Sequence, residues 1–288
     1  MNEFSADWLA LREPADRAAR ATRLSGLVAE RLAGQDPVQV LDLGTGTGAN
    51  LRFLAEQFSM PQQWTLVDRD AGLLRQVAQR VSSWGTSKGY VASGNAAGIK
   101  LRGATFDCRI ETRVSDLSKL ADPALFEGRS LVTASALLDL VSLRWIETLT
   151  ARCREAGAVV LFALTYDGHI SCEPGEPGDD LVRDLVNRHQ RTSKGFGRAL
   201  GPDAAETAVR SLQAAGYEVE HEASAWQLTP LQADLQLQLL EGWAEAAAAM
   251  DPAQTVAIDD WKARRLSHVA SGVSRVTVGH TDLAGWPA

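Results

Sequence analysis

Apolar positions follow two different spacings along the chain, and the changes between them mark the predicted elements. Residues 1–34 are predicted to be helical, because Leu24, Val28 and Leu32 recur at helical spacing and Pro14 can open a helix at its first turn. Short apolar runs then predict five strands, at 38–44, 64–68, 108–114, 130–134 and 158–166. Helical spacing between these runs predicts helices at 50–58, 73–81 and 142–156.

The alternation loosens in two places. Five glycines within 83–105 predict an irregular excursion, and a glycine- and proline-rich loop follows Tyr166. Beyond that loop the pattern predicts helices at 179–192, 203–215 and 229–250, and strands at 217–226 and 274–280.

Strands that alternate with helices form βαβ units, so the predicted sheet is mainly parallel and doubly wound. The expected fold is a Rossmann-like α/β domain over residues 35–288, with a seven-stranded sheet and an N-terminal helical cover at 1–34. Residues 167–273 are far longer than a short connection between strands. Helical cap elements are therefore expected at approximately 167–215 and 228–272.

Composition narrows the class of protein. The 288 residues are 45% hydrophobic and 23% charged, as in ordinary soluble domains, and the net charge of -7 argues against a nucleic-acid partner. Cys108, Cys153 and Cys172 form no Cys-x-x-Cys pair, so no disulfide framework and no metal site are expected. The chain starts without a signal-peptide pattern and has no apolar run of ~18 residues. These features predict a cytoplasmic protein with no membrane partner and leave the oligomeric state open.

The most informative segment is VLDLGTGTG at 40–48, a buried strand that ends in a glycine-rich turn. Glycines there let a nucleotide-type ligand approach the backbone closely. Gly44, Gly46 and Ala49 also satisfy the looser dinucleotide fingerprint, which keeps an NAD(P)-dependent oxidoreductase as an alternative. Asp42 weighs against NAD, because a carboxylate inside the strand is poorly placed beside a pyrophosphate. Asp116 follows the third strand, where a carboxylate suits an adenine amino group.

Residues 38–166 resemble the class I S-adenosylmethionine-dependent methyltransferases. VLDLGTGTG resembles the first motif of that family, TLVDRD at 65–70 the second, and SLVTASALLDLV at 130–141 the fourth. The resemblance implies S-adenosyl-L-methionine as cofactor, with Asp68 on the ribose hydroxyls and Leu117 beside adenine. The predicted cofactor-binding residues are Asp42, Gly44, Thr45, Gly46, Gly48, Asn50, Asp68, Arg69, Asp116, Leu117, Ala134 and Ser135. Arg12 is added because the N-terminal cover, if it turns this side chain inward, would bring it to the cofactor carboxylate.

The resemblance also implies the reaction, an in-line methyl transfer. The fourth motif lacks the Asn/Asp-Pro-Pro-aromatic box of enzymes that methylate adenine or glutamine, which favours a small-molecule acceptor. The candidate catalytic residues are Asp139, Tyr166 and His189. For Asp139 the alternative is a cap on the helix that begins near Ser142. A non-catalytic protein that keeps the cofactor fold is a third hypothesis.

Two further features concern the acceptor. The basic loop at 189–201 contains Arg191, Lys194 and Arg198, and is predicted to receive an anionic acceptor or to be a solvated turn. Trp145, Trp226 and Trp243 are candidates either for stacking on a flat acceptor or for the core.

Overall fold

The computed structural model describes residues 5–95, 98–103, 107–118 and 120–288. The helices are α1 (Ala6–Ala19), α2 (Thr22–Arg31), α3 (Ala49–Leu54), α4 (Ala71–Ser87), α5 (Leu143–Ala156), α6 (Asp179–Gln190), α7 (Ala204–Ala214), α8 (Ala233–Met250) and α9 (Thr255–Ala270). The strands are β1 (Val38–Leu43), β2 (Gln62–Asp68), β3 (Val91–Asn95), β4 (Gly98–Arg102), β5 (Asp107–Val114), β6 (Leu131–Ser135), β7 (Val159–Glu173), β8 (Tyr217–Ala223), β9 (Trp226–Leu228) and β10 (Arg275–Pro287).

Among the described residues, ten strands form one sheet in the order β3-β4-β5-β2-β1-β6-β7-β10-β8, and β9 also pairs with β10. The five strands from β5 to β7 are parallel, while β10 runs antiparallel to both β7 and β8. Parallel strands are covered on both faces, which explains their continuous apolar runs. The Rossmann-like prediction is confirmed, and all seven predicted strands are present. The sheet gains three further strands, β3, β4 and β9.

Helices cover the sheet on both faces. One hydrophobic cluster joins α2, α3 and α4 to the face that carries Val40, Trp64 and Leu66. A second cluster joins α5 and α7 to the opposite face, which carries Leu41 and Leu43. Helix α7 therefore belongs to the layer on the sheet and not to the cap in which the sequence analysis included it. Within the described residues no helix has the length and apolarity needed to cross a membrane.

The cap has a third cluster of its own, formed by α6, α8, α9, β9 and the far halves of β7 and β10. Both long strands continue past the edge of the sheet, with a register shift where His280 pairs with Tyr166. The prediction of a loop directly after Tyr166 is therefore wrong as far as Glu173, which is still part of β7. The last strand extends to Pro287, beyond its predicted end at residue 280. These extensions depend on tertiary contacts, because the added part of each strand is hydrogen-bonded to the antiparallel part of the other.

Two local predictions are also corrected. Helix α4 continues through Gly85 to Ser87, and the β3–β4 hairpin replaces most of the irregular excursion predicted at 83–105. A Cβ on Gly85 would lie 2.9 Å from Leu101 Cδ2, so this glycine makes room for strand packing and does not end the helix. Residues 96, 97, 104 and 105 of the excursion, and residues 1–4 of the predicted helical stretch, lie outside the described residues. Pro14 lies inside α1 and not in its first turn.

The N-terminal segment has two structural roles. Helix α2 belongs to the sheet cluster, whereas α1 packs against β9 and α8 at the edge of the cap. Between them Arg20 is buried, with its Nε 3.3 Å from Asp282 Oδ2. Only α1 of the predicted cover therefore lies where it can close the end of the sheet.

Candidate active site

A cavity of about 720 Å³ lies at the carboxyl ends of the parallel strands, between the sheet, α1 and the cap. Its volume is within the range typical of small-molecule and cofactor sites. Thirteen of the residues predicted from the sequence lie on its wall: Arg12, Asp42, Gly44, Thr45, Gly46, Asn50, Asp68, Arg69, Leu117, Ser135, Asp139, Tyr166 and His189. The cavity is one continuous space that contains both the cofactor and the acceptor candidates.

The glycine loop after β1 is anchored to β2. The amides of Gly44 and Thr45 both donate to the Val67 carbonyl, at 2.8 and 3.1 Å. Gly46 has φ +56°, and a Cβ there would lie 2.9 Å from Leu9 Cδ1 of α1. The loop thus presents bare backbone to the cavity beneath α1, as the close approach of a ligand requires. Thr47 Oγ1 is buried on the same loop without a hydrogen-bond partner among the described residues.

Asp68 links the two cofactor motifs. Its Oδ2 accepts from the amide of Gly46 at 2.8 Å, and its Oδ1 accepts from the amide of Asp70 at 2.9 Å. The carboxylate therefore lies at the end of β2 directly beside the glycine loop, on the cavity wall. This position suits the role in ribose binding that the resemblance implies.

Asp42, near the end of β1, stabilises the glycine loop. It is fully buried and accepts from Thr45 Oγ1 at 2.5 Å and from Asn50 Nδ2 at 2.8 Å. Burial raises the pKa of Asp42 to about 6, although both hydrogen bonds act in the opposite direction. The side chain orients the loop and the start of α3.

A buried polar network extends from this loop to the base of the cap. Asn50 Oδ1 accepts from Arg20 Nη1 at 2.8 Å, and Arg20 pairs with Asp282. Asp282 Oδ1 then accepts at 2.7 Å from the amide of Leu164, which has φ +53° in β7. The network was not predicted, because Arg20 and Asp282 lie near opposite ends of the chain and belong to no motif.

Three predicted cofactor residues do not lie on the cavity wall. Gly48 is the N-cap residue of α3, and a Cβ there would lie against Arg52 and against Val77 and Val81 of α4. Ala134 is fully buried within the sheet. Asp116 accepts from the amide and hydroxyl of Ser118, at 2.8 and 3.0 Å.

Asp139 lies in a short 3₁₀ turn at Leu138–Leu140, buried on the cavity wall. Burial raises its pKa to about 6, while a hydrogen bond from the backbone of Tyr166 and the charges of Arg12 and Lys194 oppose the shift. The cap of α5 is Ser142, whose Oγ accepts from the amide of Trp145 at 3.4 Å. The alternative role of Asp139 as helix cap is therefore wrong.

Tyr166 and His189 lie further along the same wall. The Tyr166 hydroxyl donates to Asn187 Oδ1 at 2.7 Å, and burial raises the pKa of this phenol. His189 Nδ1 lies 3.4 Å from Lys194 Nζ. Burial and the Lys194 charge lower the pKa of His189, and burial lowers that of Lys194.

The basic residues divide between the wall and the outside. Lys194 lies on the wall, whereas Arg191 forms a double hydrogen bond at 3.0 Å with Asp203, and Arg198 is exposed. Arg191 is thus removed from the predicted anion site. Arg12 reaches the wall, but its guanidinium is engaged by Asp16 at 2.9 and 3.0 Å.

Aromatic side chains cover much of the acceptor end. Trp226 and Trp243 lie on the wall, whereas Trp145 is buried and donates to the Leu117 carbonyl at 2.6 Å. His280 also lies on the wall, with its ring centroid 5.0 Å from that of Trp226 and 6.3 Å from that of Tyr166. The sequence analysis missed His280, because a lone histidine in a terminal strand carries no motif.

One family model matches part of the chain. Residues 40–127 match the family model described as a methyltransferase domain, and they include the glycine loop and Asp68. About a third of the chain is therefore similar to a methyltransferase domain. This match favours the methyltransferase over the dinucleotide oxidoreductase hypothesis. No curated protein matches the chain.

Two solved structures are similar to this chain at low sequence identity. The cyclopropane synthase MmaA2 of Mycobacterium tuberculosis is 13% identical with a TM-score of 0.48, covering 98% of this chain and 94% of its own. A methyltransferase of Geobacter sulfurreducens in complex with S-adenosylhomocysteine is 16% identical with a TM-score of 0.47, covering 100% of both chains.

Proposed function

We propose that this methyltransferase transfers the methyl group of S-adenosylmethionine to a small-molecule acceptor bound beneath the cap. The observation that carries the proposal is the single cavity that runs from the glycine loop to the interior face of α6 and α8. Residues of α6 and α8 line its far end, and a concave pocket of this size suits a small acceptor.

The cofactor end of the cavity has the groups that the cofactor requires. Gly44 and Gly46 offer a surface without Cβ atoms for its amino-acid part, and Asp68 would bind the ribose hydroxyls. Helix α1 covers this end through Leu9 and Arg12, which supports its predicted role as a cofactor cover.

The bound cofactor supplies a methyl carbon already activated by its sulfonium. The protein must therefore align the acceptor, exclude water and take up a proton where the acceptor loses one. Asp139 is the candidate for the proton or for orientation, because a carboxyl with a pKa near 6 exchanges its proton near neutral pH. Tyr166 and His189 would position the acceptor, since both lie on the wall at the base of the cap.

The charge of the acceptor is a finer part of the proposal. Lys194 supports an anionic acceptor, while the ion pair of Arg191 with Asp203 and that of Arg12 with Asp16 limit the positive charge at this end. The proposed anionic group would therefore be a single carboxylate near Lys194.

The test has two parts. S-adenosylhomocysteine should bind and raise the melting temperature, whereas NADH should not. At 100 times its Kd the ligand should stabilise the folded protein by about 2.7 kcal/mol. The protein is then incubated with methyl-deuterated S-adenosylmethionine and a cell extract, and the label is followed by mass spectrometry. We expect the label in the low-mass fraction. Label confined to proteins or nucleic acids would contradict the small-molecule acceptor.

A further inference from the structure

Helix α1 has two faces that contact different parts of the protein. One face packs against the hydrophobic cluster of the cap through partly buried apolar side chains, which are Trp8, Leu11, Ala15 and Ala19. The other face carries Leu9, Glu13 and Arg17 at intervals of four residues, and it lies on the glycine loop and α3. The helix is therefore joined to the cap by apolar packing and to the cofactor end mainly by charged side chains.

Arg52 of α3 is the residue that connects the charged face of α1 to the glycine loop. It is 4% exposed, and its Nε and Nη2 donate to the two carboxylate oxygens of Glu13 at 2.8 and 2.6 Å. Its Nη1 donates to the carbonyl of Thr47 at 2.7 Å. A planar guanidinium offers donors in fixed directions and can hold both partners at once, which a single ammonium group cannot do in the same geometry.

The peptide between Thr47 and Gly48 is the part of the loop that Arg52 holds. Gly48 has φ +81°, and its amide donates to the Thr45 carbonyl at 2.9 Å. A Cβ on Gly48 would lie 3.5 Å from Arg52 Nη1, so the guanidinium packs directly against this peptide. Glycine adopts both signs of φ readily, so the residue alone does not fix the orientation of the peptide. The hydrogen bond from Arg52 supplies that restraint.

Glu13 and Arg52 act on the cavity only indirectly. Neither side chain lies on its wall, whereas Thr45, Gly46 and Thr47 do. Any effect of the ion pair on a bound cofactor must therefore pass through the loop. Since a buried charge that loses its partner is strongly unfavourable, the position of Arg52 depends on Glu13 and hence on α1.

We propose that Arg52 is a positioning residue for the cofactor, which holds the glycine loop in its binding shape only while Glu13 of α1 is paired with it. The closed position of α1 and the shape of the loop are thereby coupled, and loss of the pair releases both. The proposal rests on the proposed function for the identity of the ligand. The coupling of α1 to the loop is a property of the ligand-free protein and is measured there.

The first measurement is hydrogen exchange of the ligand-free full chain, followed by mass spectrometry. Glu13→Gln removes the charge and keeps the shape of the side chain. Amides of residues 44–48 should then exchange about tenfold faster, because the restraint on the loop is weakened. Glu56→Gln is the matched control, since it breaks another ion pair of α1, with Arg17, while Glu56 pairs with Arg17 and Lys88 and not with the loop. The control should leave exchange of the loop unchanged.

The second measurement is the dissociation rate of S-adenosylhomocysteine by surface plasmon resonance. Glu13→Gln should raise koff about tenfold with a smaller change in kon, and Glu56→Gln should change koff less than twofold. Arg52→Lys keeps the charge but not the fork of donors, and should raise koff by a similar factor. In the double variant koff should rise no further than in the larger of the two single variants, because both residues belong to one chain of contacts.

A lower melting temperature with unchanged loop exchange in Glu13→Gln, as a purely structural ion pair would give, would overturn the proposal. Equal acceleration in Glu56→Gln would assign the effect to any contact between α1 and α3, and would overturn it too. Unchanged koff in Glu13→Gln, or additive effects of the two changes on koff, would show that Glu13 does not act through Arg52. Failure of S-adenosylhomocysteine to bind the wild type would instead contradict the proposed function, and loop exchange would still decide the coupling.

Discussion

The two ends of the cavity are built in different ways. At the cofactor end, the wall comes from one short stretch of chain around the glycine loop, with Asp68 from the next strand. Backbone amides and positive φ angles, as at Gly46, form the surface of this end. At the acceptor end, each group comes from a different element: Asp139 from the turn after β6, His189 from α6, and His280 from β10.

The difference also extends to how the polar groups are satisfied. Asp42 and Asp68 are held by hydrogen bonds from the loop they support. At the acceptor end, His280 Nδ1 lacks a partner within the described residues, and Asp139 is ionised with difficulty because it is buried. The two carboxylates at the cofactor end are thus held by the protein's own backbone and side chains, although Thr47 Oγ1 of the same loop has no partner among the described residues. Variants at the two ends should therefore separate cofactor binding from acceptor chemistry.

The largest effect is expected at the glycine loop. Gly46→Val should abolish S-adenosylhomocysteine binding in calorimetry, because φ +56° is strained for a branched residue and the new Cβ would lie 2.9 Å from Leu9. Gly89→Val is the matched control, since it has φ +77° and open space around it, away from the cavity. The control should lose stability but keep its affinity. Cofactor binding that survives in Gly46→Val would show that the backbone of this loop is not the cradle.

Asp139→Asn tests the other end. Turnover should fall about 100-fold, in the range of general acid–base groups, while the affinity for S-adenosylhomocysteine stays unchanged. Turnover is measured as S-adenosylhomocysteine released with a metabolite extract as the source of acceptor. Asp180→Asn, an exposed aspartate of α6, serves as control. A parallel loss of cofactor affinity would mean that the two ends are not independent.

The same variant has a pH-dependent stability. The folded-state pKa of Asp139 is raised to about 6 from 3.8, so its contribution to stability is present below about pH 4 and is lost as the pH rises through 6. The free energy of unfolding of Asp139→Asn relative to wild type should therefore increase between pH 4 and 7.5, by up to about 3 kcal/mol. Urea denaturation at several pH values measures this. A difference that does not change with pH would place Asp139 in contact with water.

Asp68→Ala should weaken S-adenosylhomocysteine binding at least about tenfold, because it removes charge-assisted hydrogen bonds to the ribose. Asp116→Ala sharpens the assignment, since Asp116 does not lie on the cavity wall and its carboxylate already accepts from Ser118. Calorimetry should give a smaller loss for this second variant. The opposite order would return the main cofactor role to Asp116.

The smallest effect concerns charge at the acceptor end. Lys194→Ala should weaken benzoate binding about fivefold in the presence of S-adenosylhomocysteine, a value suited to a half-buried charge, and leave benzyl alcohol unaffected. Arg191→Ala should change neither, because Arg191 pairs with Asp203 outside the wall. If benzoate binding does not respond to Lys194, the anionic acceptor is excluded and the methyltransferase assignment stands.

The sequence alone determined the fold class and predicted the residues that we propose for the cofactor. Parallel strands buried on both faces appear in the sequence as continuous apolar runs. The turn after β1 requires a positive φ at Gly46, and glycine is the residue that adopts it without strain. Both requirements are local, so a short stretch of sequence is enough to predict them. Asp68 could be predicted for the same reason, because one strand–helix unit separates it from the glycine loop.

Only the tertiary structure decided the acceptor end. Arg191 and Lys194 are three residues apart and equally basic, yet an ion pair with Asp203 turns one away while the other reaches the cavity. His280 faces Tyr166 because β10 and β7 pair beyond the edge of the sheet, and Arg20 is buried because Asp282 lies beside it. Such contacts join positions far apart in the chain, and no spacing or motif in the sequence marks them, since each depends on where the strands and the cap come together.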